Sequence, residues 1–326
     1  MPSAAPTVNV VQVADGRLVP GSLPAPVPGP GQLRVRVELA GVNYWDVMQR
    51  TGAVPLGPER IPGVEGTGVV LETGPDAPQD LVGRRVSWSK VPGSYAGEVV
   101  ADAAWFLPVP DDLAPEQAAG LLMQGVTAQY LAADTAPVRA GESAVVLAAA
   151  GGVGTLLTQL LTATGARVVG VVGSAGKVEV ARSAGAAEVL VDGDELVDAV
   201  RSVAPEGVRA VFDGNGGPAT PRAFAMLAPR GWVVLFGTAA GPIPALDPAL
   251  LAAGSHVVTR TAGKHFAGDP VTWRSRAEDV LARAVAGTLR VFPDAVLPLA
   301  EATEAHARME SRANTGKMFL RPVARS

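Results

Sequence analysis

The chain has 326 residues, of which 48% are hydrophobic and 18% charged, a composition that predicts a globular protein large enough for two cores. Its formal net charge is −4 and it has no run of lysine and arginine, so nucleic acid and anionic membrane surfaces are not expected partners. Cysteine is absent, which excludes disulfides, a thiolate nucleophile and every zinc site that needs a cysteine ligand.

Two stretches bear on membrane association and location. The first residues, MPSAAPTVNV, lack the basic start and the apolar core of a signal peptide. The uncharged run from Ser143 to Ala166 is long enough to span a bilayer, but its centre reads AAAGGVG, and glycines there would break an apolar helix. We therefore expect a cytoplasmic protein without a membrane-spanning segment.

The first third of the chain has the pattern of β-structure. From Leu33 to Leu39, apolar residues alternate with Arg34, Arg36 and Glu38, which is the period of a half-buried strand. The stretch PGVEGTGVV sets glycines between short apolar runs, as in a small barrel with tight corners. Further strands are predicted at 86–88 and 98–100.

The sequence pattern changes from that of strands to that of a helix after Val109. Acidic residues and Pro115 precede a periodic apolar helix in PVPDDLAPEQAAGLLMQGVTAQYLA, and acid and proline are helix start signals. From Ser143 onward, strands alternate with helices, which predicts a parallel sheet with helices on both faces. The strands are predicted at 144–148, 167–172, 188–191, 210–212 and 232–236, and the helices at 153–161, 177–184 and 221–228. The tail, EATEAHARMESR followed by KMFLRPV, predicts a helix and then a strand.

The stretch LAAAGGVGTLLTQLL joins the first of these strands to a helix through a glycine-rich turn. A dinucleotide needs these parts, because its pyrophosphate must approach the backbone closely and is stabilised by the N–H groups at a helix N-terminus. Alanine replaces the first glycine of a strict GxGxxG, yet the strand before and the helix after favour dinucleotide binding over an ordinary tight turn.

The second strand of this unit indicates which dinucleotide binds. NAD sites usually carry an acid about 20 residues after the glycines, where it accepts a hydrogen bond from the ribose 2′-hydroxyl. Here Gly173 stands at that position, followed by Ser174 and Lys177, and no acid is present in VVGSAGK. A hydroxyl and an ammonium suit a 2′-phosphate, so NADPH is the expected cofactor.

Six stretches together resemble the zinc-free, zeta-crystallin-like quinone oxidoreductases of the medium-chain dehydrogenase/reductase superfamily: GVNYWDVMQRTG, PGVEGTGVV, EQAAGLLMQGVTAQYL, AAAGGVGTLLTQLLTATGARVVG, FGTAAG and ESRANTGKMFL. The resemblance implies an α/β protein with a GroES-like, β-rich catalytic domain at 1–122 and a Rossmann NADP-binding domain with a doubly wound parallel sheet at 123–265. The segment 266–326 would return to the catalytic domain. It also implies a homodimer, and the β-branched stretch 256–260 is the strand expected at the dimer edge. Zinc members carry GHE where this chain has Val64 between Gly63 and Glu65, so no metal is expected.

The resemblance also assigns roles to individual residues. The pyrophosphate turn would be Ala150, Gly151, Gly152, Val153 and Gly154. The 2′-phosphate would contact Gly173, Ser174, Lys177 and Arg312. The nicotinamide and its ribose would lie near Asn43, Gln124, Thr127, Asn215, Phe236, Gly237 and Thr238. Val54 and Asp192 stand where the family often has tyrosines, and an acid such as Asp192 near a 2′-phosphate is unfavourable.

The expected activity is hydride transfer from NADPH to a quinone or a related conjugated carbonyl acceptor. Without zinc, hydrogen bonds must polarise the acceptor oxygen, and we expect Asn43, Tyr44 and Tyr130 to donate them. One alternative is a double-bond reductase for enones or enoyl thioesters in a biosynthetic pathway. Another is an NADPH-binding structural or RNA-binding protein with little catalysis, which the absence of a basic patch disfavours.

Overall fold

The computed structural model describes residues 6–322, and these residues divide into two compact units. Unit 1 comprises the described residues up to Met123, Ala277–Val285, and those from Pro293 onward. Unit 2 comprises Gln124–Arg276 and Ala286–Phe292. The chain thus passes between the units at 123/124, 276/277, 285/286 and 292/293, whereas the sequence suggested domain limits at 122/123 and 265/266. Among residues 6–322, no helix is both long and apolar enough to cross a bilayer.

Unit 1 is built mainly of antiparallel strands. Its strands are β1 (Thr7–Ala14), β2 (Arg17–Pro24), β3 (Gln32–Gly41), β4 (Glu65–Thr73), β5 (Arg85–Ser89), β6 (Glu98–Asp102), β7 (Phe106–Pro108), β14 (Pro293–Pro298) and β15 (Lys317–Arg321). β1 and β2 form a hairpin, and in the described chain the others form one sheet in the order β14-β15-β3-β4-β5-β7, with β6 also paired to β3. The C-terminal strand β15 therefore lies inside the sheet, between β14 and β3.

The alternation seen in the sequence explains β3. Leu33, Val35, Val37 and Leu39 are buried in the core of unit 1, and the charged residues between them are not fully buried. The helices of this unit are α1 (Tyr44–Thr51), α2 (Pro115–Gly120) and α10 (Ala302–Glu310). Pro115 begins α2, as the helix start signal predicts.

Unit 2 contains a six-stranded sheet in which every pairing is parallel. Its strands are β8 (Ser143–Leu147), β9 (Arg167–Val172), β10 (Glu188–Val191), β11 (Val208–Asp213), β12 (Leu227–Leu235) and β13 (Val257–Arg260). The order is β10-β9-β8-β11-β12-β13, the arrangement of a doubly wound dinucleotide-binding sheet. The predicted α/β fold class is confirmed.

Helices and short 3₁₀ turns precede, connect and follow these strands, and the last helix, α9, continues into unit 1. The helices are α3 (Leu122–Asp134), α4 (Gly152–Ala163), α5 (Val178–Ser183), α6 (Leu196–Val203), α7 (Ala249–Ala252), α8 (Lys264–Ala267) and α9 (Pro270–Val285). The α-helix predicted at 221–228 is wrong. A 3₁₀ run at Thr220–Met226 takes its place, because the chain is already extended at Leu227, where β12 begins.

Candidate functional site

The carboxyl ends of the parallel strands gather most of the predicted cofactor residues at one edge of unit 2. The turn 148–152 follows β8, Gly173 follows β9, Asn215 comes shortly after β11, and Phe236 follows β12. The last two loops contact each other, since the Phe236 N–H donates to the Asp213 carbonyl over 2.9 Å and the Ala240 N–H donates to the Asn215 carbonyl over 2.7 Å. In open α/β sheets this edge is where ligands bind.

The glycine-rich turn after β8 has a geometry that requires glycine at one position. Ala148 lies in the left-handed region at φ 56°, and its carbonyl accepts the Gly151 N–H over 2.8 Å. A Cβ on Gly154 would lie 2.2 Å from that carbonyl oxygen, so a side chain there would force α4 away from the end of β8. The turn therefore delivers the N-terminus of α4, with its unpaired helix-end N–H groups, to the edge of the sheet.

The start of α3 packs against the same turn. A Cβ on Gly152 would lie 1.8 Å from Oε1 of Gln124, so the Gln124 amide fills the space that a side chain at residue 152 would need. Three residues along α3, Thr127 shares a hydrogen bond with the hydroxyl of Tyr130. Two residues that the resemblance assigns to the nicotinamide side thus lie in unit 2 with the phosphate turn.

The loop after β9 has the space and the chemistry for an added phosphate. Cβ atoms on Gly173 and Gly176 would meet no heavy atom within 4 Å, and Ser174 is exposed. Lys177 ends the 3₁₀ turn Ala175–Lys177 that leads into α5. A glycine turn, a helix N-terminus, a hydroxyl and an ammonium on one sheet edge fit a dinucleotide that carries a 2′-phosphate.

Asp192, an acid that would be unfavourable beside a 2′-phosphate, is paired with an arginine. Its carboxylate accepts a hydrogen bond from the guanidinium of Arg222, which also donates to the Gly193 carbonyl over 3.3 Å. The backbone N–H of Asp192 donates to the Val172 carbonyl over 2.8 Å, which places this ion pair beside the end of β9.

Asn43 lies in unit 1 at the start of α1, and its side chain is held by protein groups. Its Nδ2 donates to Oε2 of Glu65 over 3.1 Å and to the Gly41 carbonyl over 3.3 Å, while Nζ of Lys317 donates to its Oδ1 over 2.8 Å. Both amide hydrogens of Asn43 are therefore engaged inside unit 1. Its contacts point to a positioning role, and the expectation that this amide donates to the substrate oxygen stays a prediction.

Glu65 and Lys317 form a buried ion pair in the same cluster. Their charged atoms lie 2.6 Å apart, and their side chains are 0% and 1% exposed. The backbone N–H of Met123 donates to the second carboxylate oxygen of Glu65 over 2.7 Å. A cation, an amide and a backbone N–H thus satisfy the Glu65 carboxylate, which offsets the cost of burying it.

A second buried chain of polar groups begins at Asp46. Its Oδ2 accepts the Asn43 N–H over 2.9 Å and the Tyr95 hydroxyl over 3.1 Å, and the same hydroxyl lies 3.1 Å from Nε2 of His306. Burial raises the pKa of Asp46 to about 7, against the lowering effects of the Asn43 N–H and Lys317. Burial, with a smaller effect from the Arg50 charge, lowers the pKa of His306 to about 4. Tyr95 is wholly buried.

The other two predicted donors differ in their surroundings. Tyr130, in unit 2, is 5% exposed and stacks on Phe266 with ring centroids 4.4 Å apart. Its hydroxyl shares hydrogen bonds with Thr261 and Thr127, and burial raises its pKa. Tyr130 is therefore engaged within unit 2 in the same way as Asn43 is in unit 1. Tyr44 opens α1 and is half-buried.

Val64 and Arg312 complete the predicted positions. Val64 is buried at the position where a ligand histidine would stand in GHE, and among residues 6–322 no group of three or more His, Asp and Glu is placed to hold a metal ion. Arg312 follows α10 in unit 1 at φ 56°. Its proposed contact with the 2′-phosphate stays a prediction.

The buried cluster of unit 1 was not predicted from the sequence, although local signals existed for three of its members. Asn43 and Asp46 have the spacing of a capping box, in which the third helical residue bonds back to the cap. His306 shares a helix face with Ala302 and Ala305, both buried. Lys317 has no comparable signal, because its partners precede it by more than 250 residues.

Comparisons with known proteins agree with these two units. The alcohol dehydrogenase GroES-like domain model matches residues 29–139, and the zinc-binding dehydrogenase model matches residues 152–281. The chain is 33% identical over 300 residues to a quinone oxidoreductase of Pseudomonas aeruginosa, covering 90% of this chain and 92% of the relative. It is also 33% identical over 309 residues to a 2-haloacrylate reductase of a Burkholderia species, covering 91% and 92%.

Solved structures are similar over the same length. A mycobacterial protein solved as a complex with NADPH superposes with a TM-score of 0.89 at 35% identity, covering 97% of this chain and 100% of that one. Escherichia coli quinone oxidoreductase complexed with NADPH gives a TM-score of 0.87 at 27% identity, with the same coverage.

Proposed function

The chain belongs to the zinc-free quinone oxidoreductase family of the medium-chain dehydrogenase/reductase superfamily, and we propose on that basis that it is an NADPH-dependent oxidoreductase. Its acceptor is a quinone or a related conjugated carbonyl compound. The observation that carries the proposal is the carboxyl edge of the unit 2 sheet, where the turn 148–154 lies on the same edge as Ser174 and Lys177. This edge suits a pyrophosphate and a 2′-phosphate together.

The protein's part in the reaction is to bind and orient, because NADPH supplies the hydride when it is bound. The N-terminus of α4 would bind the pyrophosphate, and Ser174 and Lys177 would bind the 2′-phosphate. Gln124, Thr127, Asn215 and the loop 236–238 would hold the nicotinamide end. Each of these groups lies in unit 2, so its fold already gathers most of the cofactor contacts at one edge.

Tyr44 and Asn43 are the predicted donors to the acceptor that lie in unit 1. We assign Tyr44 as the donor to the acceptor oxygen, since the structure engages Asn43 and Tyr130 elsewhere. Asn43 would act through its position, as the Lys317 and Glu65 side chains fix its amide and Asp46 fixes its backbone. A quinone needs little acid assistance because its reduced anion is stable, whereas an enone needs a proton at its α-carbon.

A double-bond reductase is the second candidate function. The 2-haloacrylate reductase of the Burkholderia species, 33% identical to this chain, favours it, because its named substrate is a conjugated acid rather than a quinone. Val54 has no acidic proton, so water or Tyr44 would have to protonate the product of such a reaction.

One assay separates the candidates. NADPH oxidation is followed at saturating NADPH with each of three acceptors: 1,4-benzoquinone, a short enone and an enoyl thioester. The same acceptors are then tested with NADH as the hydride donor. Turnover with benzoquinone supports the first function, and turnover with only the enone or the thioester supports the second. NADPH binding without turnover of any acceptor would contradict both and favour a structural or regulatory role.

We further propose a homodimer located in the cytoplasm. β13 is the edge strand of the unit 2 sheet, and its first residue, Val257, is 36% exposed. An open edge of β-branched residues is suited to pairing with the same edge of a second copy across a two-fold axis.

A further inference from the structure

The ion pair of Asp192 and Arg222 lies where cofactor choice is decided in this fold. Enzymes that use NAD place an acid near the end of the second strand of the sheet, where it accepts a hydrogen bond from the ribose 2′-hydroxyl. β9 is that strand here, and Gly173 follows its last residue, Val172. The hydrogen bond from the Asp192 N–H to the Val172 carbonyl brings a carboxylate from the loop after β10 to the same place.

An acid at this place would oppose a 2′-phosphate if its charge were uncompensated. The carboxylate of Asp192 is 32% exposed, so solvent screens it only in part. Ser174 and Lys177 stand on the adjoining loop, where they favour the phosphate. Taken alone, Asp192 would therefore work against the cofactor that its neighbours select.

Arg222 resolves this conflict. Its guanidinium donates to Asp192 and to the Gly193 carbonyl, so two contacts fix it on the loop after β10. The residue comes from the 3₁₀ run Thr220–Met226, which packs against α6 and the strands β11 and β12. A guanidinium held in this way neutralises the charge of the acid at the sheet edge.

We propose that Arg222 is a specificity-determining residue, which neutralises Asp192 and thereby allows the site to prefer a dinucleotide with a 2′-phosphate. The inference rests on the proposed use of NADPH. It assigns the preference to an arginine that lies on a different element from the glycine turn and from the loop of Ser174 and Lys177.

The test measures binding of cofactor fragments, so that it does not depend on turnover. The affinities of 2′,5′-ADP and 5′-AMP are measured by calorimetry for the wild-type protein and for Arg222→Gln. We expect Arg222→Gln to weaken 2′,5′-ADP about tenfold, the effect of losing one charge–charge interaction of moderate strength, while 5′-AMP binds as before or more tightly. The loss of 2′,5′-ADP affinity caused by Arg222→Gln should be smaller at high salt, because the charged groups involved are partly exposed.

Two further variants distinguish electrostatics from a structural role. Asp192→Asn keeps Arg222 and removes the acid, so 2′,5′-ADP should bind more tightly than to the wild type. Asp192→Asn combined with Arg222→Gln should recover most of the affinity that Arg222→Gln loses. If Arg222 serves only to pack its 3₁₀ run, the single variant would weaken both fragments equally and Asp192→Asn would not restore binding. That result would overturn the inference.

A matched control is available at the opposite end of the same strands. Arg167 at the start of β9 pairs with Glu188 at the start of β10 over 3.2 Å and, like Arg222, also donates to a backbone carbonyl. Arg167→Gln should leave the ratio of the two affinities unchanged. If the wild-type protein shows no preference for 2′,5′-ADP, the proposed use of NADPH fails and this inference fails with it. A wild-type preference that Arg222→Gln leaves intact defeats the inference alone.

Discussion

Two buried residues of unit 1 have pKa values shifted in opposite directions. Burial raises the pKa of Asp46 from 3.8 to about 7 and lowers that of His306 from 6.5 to about 4. The stability contributed by Asp46 is fully present below pH 3.8 and is lost as the pH rises toward 7. The stability contributed by His306 is fully present above pH 6.5 and is lost as the pH falls toward 4. Between about pH 4 and 6.5 the two slopes oppose each other.

We therefore predict that replacing either residue alone reveals the pH dependence of stability that the other residue contributes. Asp46→Asn should make the free energy of unfolding fall as the pH is lowered from 6.5 to 4, at up to about 1.4 kcal/mol per pH unit, and His306→Gln should make it fall as the pH rises from 4 to 7. Urea unfolding midpoints across this range measure both effects. The exposed residue Asp80, changed to Asn, serves as a control. A wild-type profile retained in both buried variants would contradict the prediction.

Lys317 gives a second prediction at this scale. Lys317→Met leaves the carboxylate of Glu65 buried without its cation and should lower the free energy of unfolding by about 3–5 kcal/mol. Adding Glu65→Gln removes the unpaired charge, so the double variant should be more stable than the single one. Urea unfolding of the wild-type protein, Lys317→Met, Glu65→Gln and the double variant completes the cycle. Equal losses in the single and the double variant would show that packing of the lysine stem, rather than charge, explains the effect.

At the scale of elements, the contact between β8 and α4 depends on one glycine. In Gly154→Ala the new Cβ would meet the Ala148 carbonyl oxygen and the Ala149 Cα, both backbone atoms that have little freedom to move. We predict a loss of about 1–3 kcal/mol in stability and weaker binding of NADH and NADPH alike, because α4 must shift away from the turn. Thermal unfolding and fluorescence titration measure the two effects.

Gly176→Ala is the matched control for this variant. Gly176 lies in the 3₁₀ turn before α5 with open space around the position of a Cβ, so its replacement should leave stability unchanged. If both glycine variants lost stability equally, the cost would come from backbone entropy or propensity and not from the contact between α4 and β8.

Sequence patterns of a few residues predicted the strands whose bounds depend only on nearby residues. The strands at 167–172 and 188–191 were predicted with the bounds that β9 and β10 have, because short apolar runs between turn residues leave little ambiguity. The 3₁₀ run at 220–226 was not predicted, since a helical pattern does not reveal that the next strand begins at once. The glycine-rich cofactor turn was also predictable, because it too is set by residues that are adjacent in the sequence. The buried cluster around Glu65 does not, because its cation comes from a distant strand.

At the scale of the molecule, β13 offers an open edge whose hydrogen-bonding groups can be assigned. The Thr261 N–H donates to the Leu235 carbonyl of β12, and N–H groups alternate in direction along a strand, so those of Val258 and Arg260 point outward. Light scattering should give a homodimer for the wild-type protein. Val258→Pro removes an outward N–H while keeping the inner ladder, and it should yield a monomer that still binds NADPH.

The control for this prediction is Val271→Ala on α9, where the valine is 79% exposed and lies outside the sheet. This variant should remain dimeric. A wild-type monomer at all concentrations would refute the dimer, and a dimer that survives Val258→Pro would place the interface elsewhere.

The position of β15 inside the sheet of unit 1 also has a consequence for how the protein is made. The ribosome reaches Lys317 only after adding 252 residues beyond Glu65, which takes about 13–50 seconds at about 5–20 residues per second. During that interval the nascent chain holds an acid whose burial lacks a cation, and the end of β3, at Ala40 and Gly41, lacks its pairing with β15. The residues of unit 2, by contrast, emerge almost as one block. Unit 2 can therefore fold on the ribosome before unit 1 is complete. A premature stop codon before Lys317 would release a chain whose unit 1 sheet lacks β15.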